Sequence, residues 1–198
     1  MSSRDNLTSR FYAENAETYA RHADAPSRLR LDPFLARLPP GAEILELGCG
    51  NGRDSAEMIA RNFRVTPTDG TPEMATEAAR RLGISVGVLR FGDIDSVSAF
   101  DAIWANACLL HVPRSELSHI FARIHRALRP GGVLYASFKA GEAEGNDALG
   151  RYYNYPSEAW LRALCDELPW QSLAVDLTHG SAYDAQPTDW LHLLAVKA

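Results

Sequence analysis

Two hydrophobic periods alternate along the chain. From Asn6 to His22 the spacing is helical, with Tyr12, Ala16 and Tyr19 on one face. Ser27 to Leu38 predicts a second short helix, ended by Pro39-Pro40-Gly41. The period then changes. Glu43 to Leu47 (EILEL) is a β-prone run that stops at a glycine cluster. Ser55 to Arg61 reads as a helix, Phe63 to Thr68 as a strand, and Pro72 to Leu82 as a helix opened by Thr71-Pro72. Ser85 to Phe91 and Phe100 to Ala105 are the third and fourth strands. Ser115 to Leu128 is amphipathic, with Leu117, Ile120, Phe121, Ile124 and Leu128 on one stripe, and Arg129-Pro130-Gly131-Gly132 ends it. Val133 to Phe138 is a fifth strand and Gly141 to Gly150 a loop. A helix over Ser157 to Leu168 and strands in Gln171 to Leu177 and Trp190 to Val196 complete the pattern.

Strands alternating with helices predict βαβ units and a doubly wound parallel sheet, an α/β fold, with the late strands joining antiparallel at its edge. No repeat or linker divides the chain, so residues 1–198 are expected to form one domain. Pro67 sits late in the second strand, where a missing N–H predicts a bulge or an early strand end.

Composition narrows the classes. The 198 residues carry 20 Lys+Arg against 25 Asp+Glu, a net charge of −5, and no basic stripe of the kind a nucleic-acid partner requires. The most apolar stretch, Ala99 to Val112, is broken by Asp101 and Asn106 and is too short to span a bilayer. Cys49, Cys108 and Cys165 are odd in number and widely spaced, which argues against a disulfide framework or a cysteine metal site. The histidines have no metal-ligand spacing. A cytoplasmic protein, monomeric or homodimeric, without metal, nucleic-acid or membrane partner, is expected.

The chemistry concentrates where the first strand ends, in Glu46-Leu47-Gly48-Cys49-Gly50-Asn51-Gly52-Arg53-Asp54. A bare strand-to-helix turn lets a ligand approach the helix N-terminus. A dinucleotide site wants G-x-G-x-x-G, and Arg53 holds the place of its third glycine. Glu46 would repel a pyrophosphate and suits a ligand with an amino group. Asp69, nineteen residues after Gly50, is placed to bind ribose hydroxyls or, in the plainer reading, to cap the next helix. In Gly92-Asp93-Ile94 the acid is placed to accept from an adenine amino group, with Ile94 on the ring; a plain turn is the alternative.

In their order these motifs closely resemble class I S-adenosylmethionine-dependent methyltransferases. ELGCGNGRD is the hallmark loop, Asp69 the acid after strand two, Gly92-Asp93-Ile94 the adenine turn, and LRPGGVLYASF the approach to strand five. FYAENAETYA, FDAIWANACLLHVP and SFKAG further resemble a bacterial subgroup related to tellurite methyltransferases. The resemblance spans about Phe11 to Lys197. It implies a Rossmann-like seven-stranded sheet of order 3-2-1-4-5-7-6 with strand 7 antiparallel, helices on both faces, and a helical lid over about residues 6–38. It also implies S-adenosylmethionine as cofactor. Gly48 and Gly50 would lie against its methionine part, Arg53 at the carboxylate, Asp69 at the ribose, Met74 on the adenine face, and Asp93 with Ile94 at its edge. Tyr12 and Tyr19 of the lid, with Glu46, Cys49, Gly70, Gly92 and Ala105, complete the expected cofactor set. Cys108 departs from the subgroup, which prefers a small hydroxyl residue there.

Methyl transfer needs a base only when the acceptor arrives protonated. His111, after strand four, is the candidate; a structural histidine bonded to a carbonyl is the alternative. Lys139, and Arg151 beside Tyr152, are placed at the carboxyl edge of the sheet. They suggest a small anionic acceptor, a carboxylate or a metalloid oxyanion; pairing with Glu142 or Glu144 is the plainer reading. A small-molecule methyltransferase is therefore expected. A catalytically silent S-adenosylmethionine-binding sensor is the second reading. A nicotinamide oxidoreductase is the third, disfavoured by the glycine spacing and Glu46.

Overall fold

The computed structural model describes residues 3–21, 28–181 and 186–198. The elements in order are α1 (Ser3–Arg21), α2 (Arg28–Leu35), β1 (Glu43–Leu47), α3 (Arg53–Ala60), β2 (Arg64–Asp69), α4 (Pro72–Leu82), β3 (Gly87–Val88), β4 (Phe100–Ala105), α5 (Arg114–Ala127), β5 (Leu128–Lys139), β6 (Gly145–Asn146), β7 (Tyr152–Tyr153), α6 (Glu158–Asp166), β8 (Trp170–Ser181) and β9 (Pro187–Lys197). His22 and Ser27, at the expected ends of the first two helices, lie outside the described residues.

Seven strands form one sheet of order β3-β2-β1-β4-β5-β9-β8. β9 lies antiparallel to β5 and to β8, and the remaining pairs are parallel. This is the expected 3-2-1-4-5-7-6 arrangement, because β6 and β7 form a separate two-stranded ribbon. β1 sits mid-sheet with Ile44, Leu45, Glu46 and Leu47 all buried, which is why its apolar run lacks alternation. On one face Leu31 and Phe34 of α2 and Met58 of α3 pack on Ile44, Trp104 and Tyr135. The Trp104 and Tyr135 rings stack at 4.0 Å between centroids. On the other face Leu117, Phe121 and Ile124 of α5 and Leu161 of α6 pack on Leu45, Ile103 and Leu134. Each such fully buried side chain contributes about 1.5–3 kcal/mol of transfer free energy.

Several local expectations are corrected. Pro67 causes neither bulge nor early end: β2 pairs with β1 continuously from Arg64 to Thr68 and extends to Asp69. The ladder from β2 to β3 begins only at Thr68, so no partner requires the missing N–H. The third strand is two residues long rather than seven, an edge strand with Val88 exposed. Arg129-Pro130-Gly131-Gly132 does not separate helix from strand. β5 already pairs at Leu128 with Phe100, and the register then shifts so that Val133 faces Ala102. Gly131 at φ 76° absorbs that irregularity, a conformation costly to a residue with a side chain. The segment Gly141 to Gly150 is not all loop, because Gly145 and Asn146 pair with Tyr153 and Tyr152. Leu31, Phe34 and Leu35 of α2 pack in the core on one face of the sheet, and Thr8, Ser9, Tyr12 and Tyr19 of α1 line the pocket described next.

Candidate cofactor and active site

The turn after β1 opens a cavity of about 450 Å³ above the carboxyl ends of the central strands. Gly48, Gly50 and Gly52 all have positive φ, at 61°, 58° and 76°. A Cβ on Gly48 would stand 2.4 Å from the Cys108 Cβ, whereas one on Gly50 would meet nothing within 4 Å. The first glycine thus lets the loop pack on the turn after β4, and the second leaves the cavity wall bare.

Asp69 ends β2 and joins two turns. Its carboxylate accepts from Gly50 N at 3.1 Å and from Thr71 N at 2.9 Å. Burial raises its pKa to about 6, against the lowering effect of those N–H donors. Thr71 is the N-cap residue of α4 but makes no side-chain cap bond. Glu46 is also buried and takes a hydrogen bond from the Ser55 hydroxyl. Burial and the nearby Asp54 carboxylate push its pKa well above the usual range. Asp54 accepts from Trp104 Nε1 at 3.0 Å and Asn106 Nδ2 at 3.1 Å, and Arg53 Nε lies 3.7 Å away. Three carboxylates therefore line one face of the cavity. Burial and the carboxylates of Glu46 and Asp69 raise the thiols of Cys49 and Cys108, so both sulfurs are inert wall atoms at neutral pH.

Most of the expected residues come together. Tyr12, Tyr19, Glu46, Gly48, Cys49 and Gly50 line the cavity, as do Arg53, Asp69, Gly70, Met74, Gly92 and Asp93, with His111 at the same wall. Ile94 and Ala105 do not. Ile94 turns inward to the core against α5, its carbonyl held by Arg123 at 2.9 Å, and Phe91 takes the cavity side of that turn. Ala105 is fully buried, and the wall beyond β4 is made by Asn106 and Ala107. Lys139, Arg151 and Tyr152 lie outside the cavity lining. Arg151 is 1% exposed and bonded to Asp147 through Nε at 2.9 Å and Nη2 at 2.7 Å. Lys139 sits with Nζ 4.1 Å from the Tyr153 ring centre. The Tyr152 hydroxyl donates to Glu144.

Three of the hydrogen bonds of α1 tie it to the cavity wall and the neighbouring β7. Tyr152 N donates to Thr8 Oγ1 at 2.8 Å, and Asn51 Nδ2 donates to Ala20 O at 2.8 Å. The third joins Tyr12 Oη and His111 Nε2 at 3.0 Å. His111 Nδ1 lies 2.7 Å from the Tyr152 carbonyl, which only accepts, so Nδ1 carries the proton and Nε2 the lone pair. Burial lowers the His111 pKa to about 4 and raises that of Tyr12 well above 10. Both are uncharged at neutral pH, and Tyr12 donates to His111. Sequence reading missed Asn51, Asp54, Asn106 and Phe91. For Asp54 the signal was present, since it directly follows Arg53 on the first turn of α3.

The sheet order and the glycine turn define the Rossmann-like fold of class I methyltransferases. Residues 44–132, from β1 into β5, match the family model described as a methyltransferase domain. The chain is 33% identical over 165 residues to trans-aconitate 2-methyltransferase of Variovorax paradoxus, covering 79% of this chain and 57% of that protein. It is 33% identical over 140 residues to a ubiquinone biosynthesis O-methyltransferase of Xanthomonas oryzae, covering 66% and 56%. The chain thus spans about half the length of the curated relatives it matches. The solved 1,6-didemethyltoxoflavin-N1-methyltransferase of Burkholderia thailandensis, with bound S-adenosylhomocysteine, superposes with a TM-score of 0.79 at 23% identity, over 100% of this chain and 92% of that one. Magnesium protoporphyrin IX methyltransferase of Synechocystis with bound S-adenosylmethionine gives 0.74 at 17%, over 100% and 99%. Among the described residues no helix is long and apolar enough to cross a membrane.

Proposed function

We propose that this chain is an S-adenosylmethionine-dependent methyltransferase for a small molecule whose accepting O–H or N–H is still protonated at neutral pH. The observation that carries the cofactor is the set of three carboxylates, Glu46, Asp54 and Asp69, on the wall of a glycine turn. A pyrophosphate would be repelled there, whereas an ammonium group is welcomed, because its charge favours the ionised form of Glu46 that burial and Asp54 otherwise oppose, and ribose hydroxyls can donate to Asp69. Glu46 faces the ammonium group, Arg53 the carboxylate, Asp69 the ribose hydroxyls, and Met74 with Phe91 and Asp93 the adenine. S-adenosylmethionine supplies an electrophilic methyl group on a sulfonium. The protein aligns the acceptor and excludes water under α1. His111 receives the acceptor proton at Nε2, with Tyr12 giving way. Lys139 and Arg151 do not line this cavity; Lys139 lines a second one of about 440 Å³ together with Asp147 and Asp189.

S-adenosylhomocysteine at about a hundredfold its dissociation constant adds about 2.7 kcal/mol to folding stability. That corresponds to roughly 5–10 °C in Tm for a chain of this size. NAD is expected to give no shift; a shift with NAD alone overturns the cofactor assignment. An acceptor screen reading S-adenosylhomocysteine release, with trans-aconitate, phenols, N–H heterocycles and tellurite, then tests the acceptor class. Turnover confined to carboxylates or tellurite contradicts it, and binding without any turnover identifies the silent sensor.

The pH dependence of binding follows from Asp69. Ribose hydroxyls donate to the ionised carboxylate, so binding favours its loss of a proton. Affinity for S-adenosylhomocysteine should be full above pH 7 and fall as pH drops through about 6, by up to roughly tenfold at one unit below that value. Calorimetric titration between pH 7.5 and 5 checks this. An affinity that rises on acidification has the wrong sign for a carboxylate at the ribose.

A further inference from the structure

Asn154 is fully buried, just beyond β7, and its bonds go to one place. Its Nδ2 donates to Leu109 O at 2.9 Å and to Val112 O at 3.0 Å, and its backbone N donates to Leu110 O at 2.9 Å. These three carbonyls bracket His111 on both sides. Two residues earlier the Tyr152 carbonyl receives the His111 Nδ1 proton. Arg114 Nε, from the start of α5, donates to the Asn154 carbonyl at 2.8 Å and anchors the bracket from outside. The Asn154 Oδ1 is buried without a hydrogen-bond partner. Native interiors seldom leave a buried amide oxygen unpaired. The side chain therefore costs stability in order to present both of its N–H groups to the His111 turn.

We infer that Asn154 is a positioning residue: it locks the turn around His111 against the Tyr152 carbonyl, and so decides which imidazole nitrogen faces the cavity. The inference rests on the reading of His111 as the proton acceptor. With the bracket in place Nδ1 is held as the donor, and Nε2 is unprotonated on the cavity side, where it accepts from Tyr12. Released, the 109–112 turn can rotate the ring off the carbonyl, and the tautomer is no longer dictated. The groups facing His111 are Tyr12 from α1, Tyr153 of β7 with its ring centre 4.6 Å away, and Arg151, Lys139 and Asp147 through their charges. None of these is removed by a change at Asn154, so a response of His111 reports the bracket.

The test is long-range ¹H–¹⁵N NMR of the imidazoles, with His111 assigned through His111→Gln. The wild-type protein should show a protonated Nδ1, a bare Nε2 and a titration near pH 4. Asn154→Ala should show mixed tautomers and a titration below that of wild type, because the Tyr152 carbonyl, which raises the imidazole pKa, no longer holds Nδ1. Its calorimetric affinity for S-adenosylhomocysteine should remain that of wild type. Asn154→Ser, whose hydroxyl restores one donor, should fall between the two and serves if the alanine variant does not fold. A folded Asn154→Ala with the wild-type tautomer and titration overturns the inference. So does a wild-type His111 protonated on Nε2. Loss of S-adenosylhomocysteine binding by the wild-type protein would strike the cofactor assignment instead and leave the imidazole measurement intact.

Discussion

Alanine at Gly48 is expected to damage the fold, and alanine two residues on, at Gly50, to spare the fold and remove the cofactor. Both glycines have a left-handed backbone, so each substitution carries about 1–2 kcal/mol of conformational strain. Only at Gly48 does the new methyl group meet protein, 2.4 Å from the Cys108 Cβ. That contact is backbone-near on both sides, so relief requires moving the turn after β4. Overpacking of this kind adds about 1–3 kcal/mol. The total of roughly 2–5 kcal/mol is a large share of the stability of a natural domain, about 5–15 kcal/mol. A Tm lower by about 10 °C is expected for Gly48→Ala. Gly50→Ala should lose only a few degrees, because its methyl group stands in open space on the cavity wall. There it occupies volume that a bound methionine moiety needs, and affinity for S-adenosylhomocysteine should fall by about tenfold or more. Thermal melts and calorimetry on the two variants decide the matter. A Gly48→Ala protein as stable as wild type, or a Gly50→Ala protein with undiminished affinity, contradicts the assignment of the turn.

Asp69→Ala carries the second large effect. Hydrogen bonds to a charged acceptor are worth about 1.5–3 kcal/mol, so losing the ribose contact should weaken S-adenosylhomocysteine binding by roughly 10- to 150-fold. The carboxylate also holds Gly50 N and Thr71 N, and the alanine variant leaves both donors without their acceptor. The ligand-free protein should therefore change in stability as well. Asp69→Asn separates the two roles, since its amide oxygen retains one of those N–H bonds. If Asp69 served only the turns, Asp69→Asn would shift Tm and leave affinity alone. The variant should in addition lose the acid dependence of binding described above, because no carboxylate remains to take up a proton near pH 6. Persistence of that dependence in Asp69→Asn would place the titrating group elsewhere, with Glu46 as the next candidate.

The contrast between residues that were legible in the sequence and those that were not has a physical basis. Glu46, Gly48, Gly50, Arg53 and Asp69 were legible because their positions follow from backbone geometry. A strand that ends in a tight turn fixes where its next few residues stand, and the end of an adjacent parallel strand stands beside it. Pro67 was misjudged because a missing N–H matters only if a neighbour needs it, and the shortness of β3 is a property of the sheet edge. Lys139, Arg151 and Tyr152 do not line the cavity of the glycine turn, and Lys139 lines a second one. Arg151 found its partner in Asp147, four residues away, once the ribbon of β6 and β7 curled the segment back on itself. No periodicity in Gly141 to Gly150 announces that ribbon.

By itself the sequence determined the order of elements, a mainly parallel sheet and the site of the glycine turn, because apolar period and turn residues act locally. The strand order was legible only through the resemblance to the methyltransferase family. Only the tertiary structure decided the state of the candidate base. The contact between Tyr12 and His111 joins residues 99 positions apart, and that between Asn154 and Leu109 joins residues 45 apart. Which nitrogen of His111 carries the proton depends on a carbonyl delivered by β7, and its low pKa on burial under α1. Such quantities arise from desolvation and from the direction of side chains across separate elements, neither of which is encoded in the spacing of residues along one.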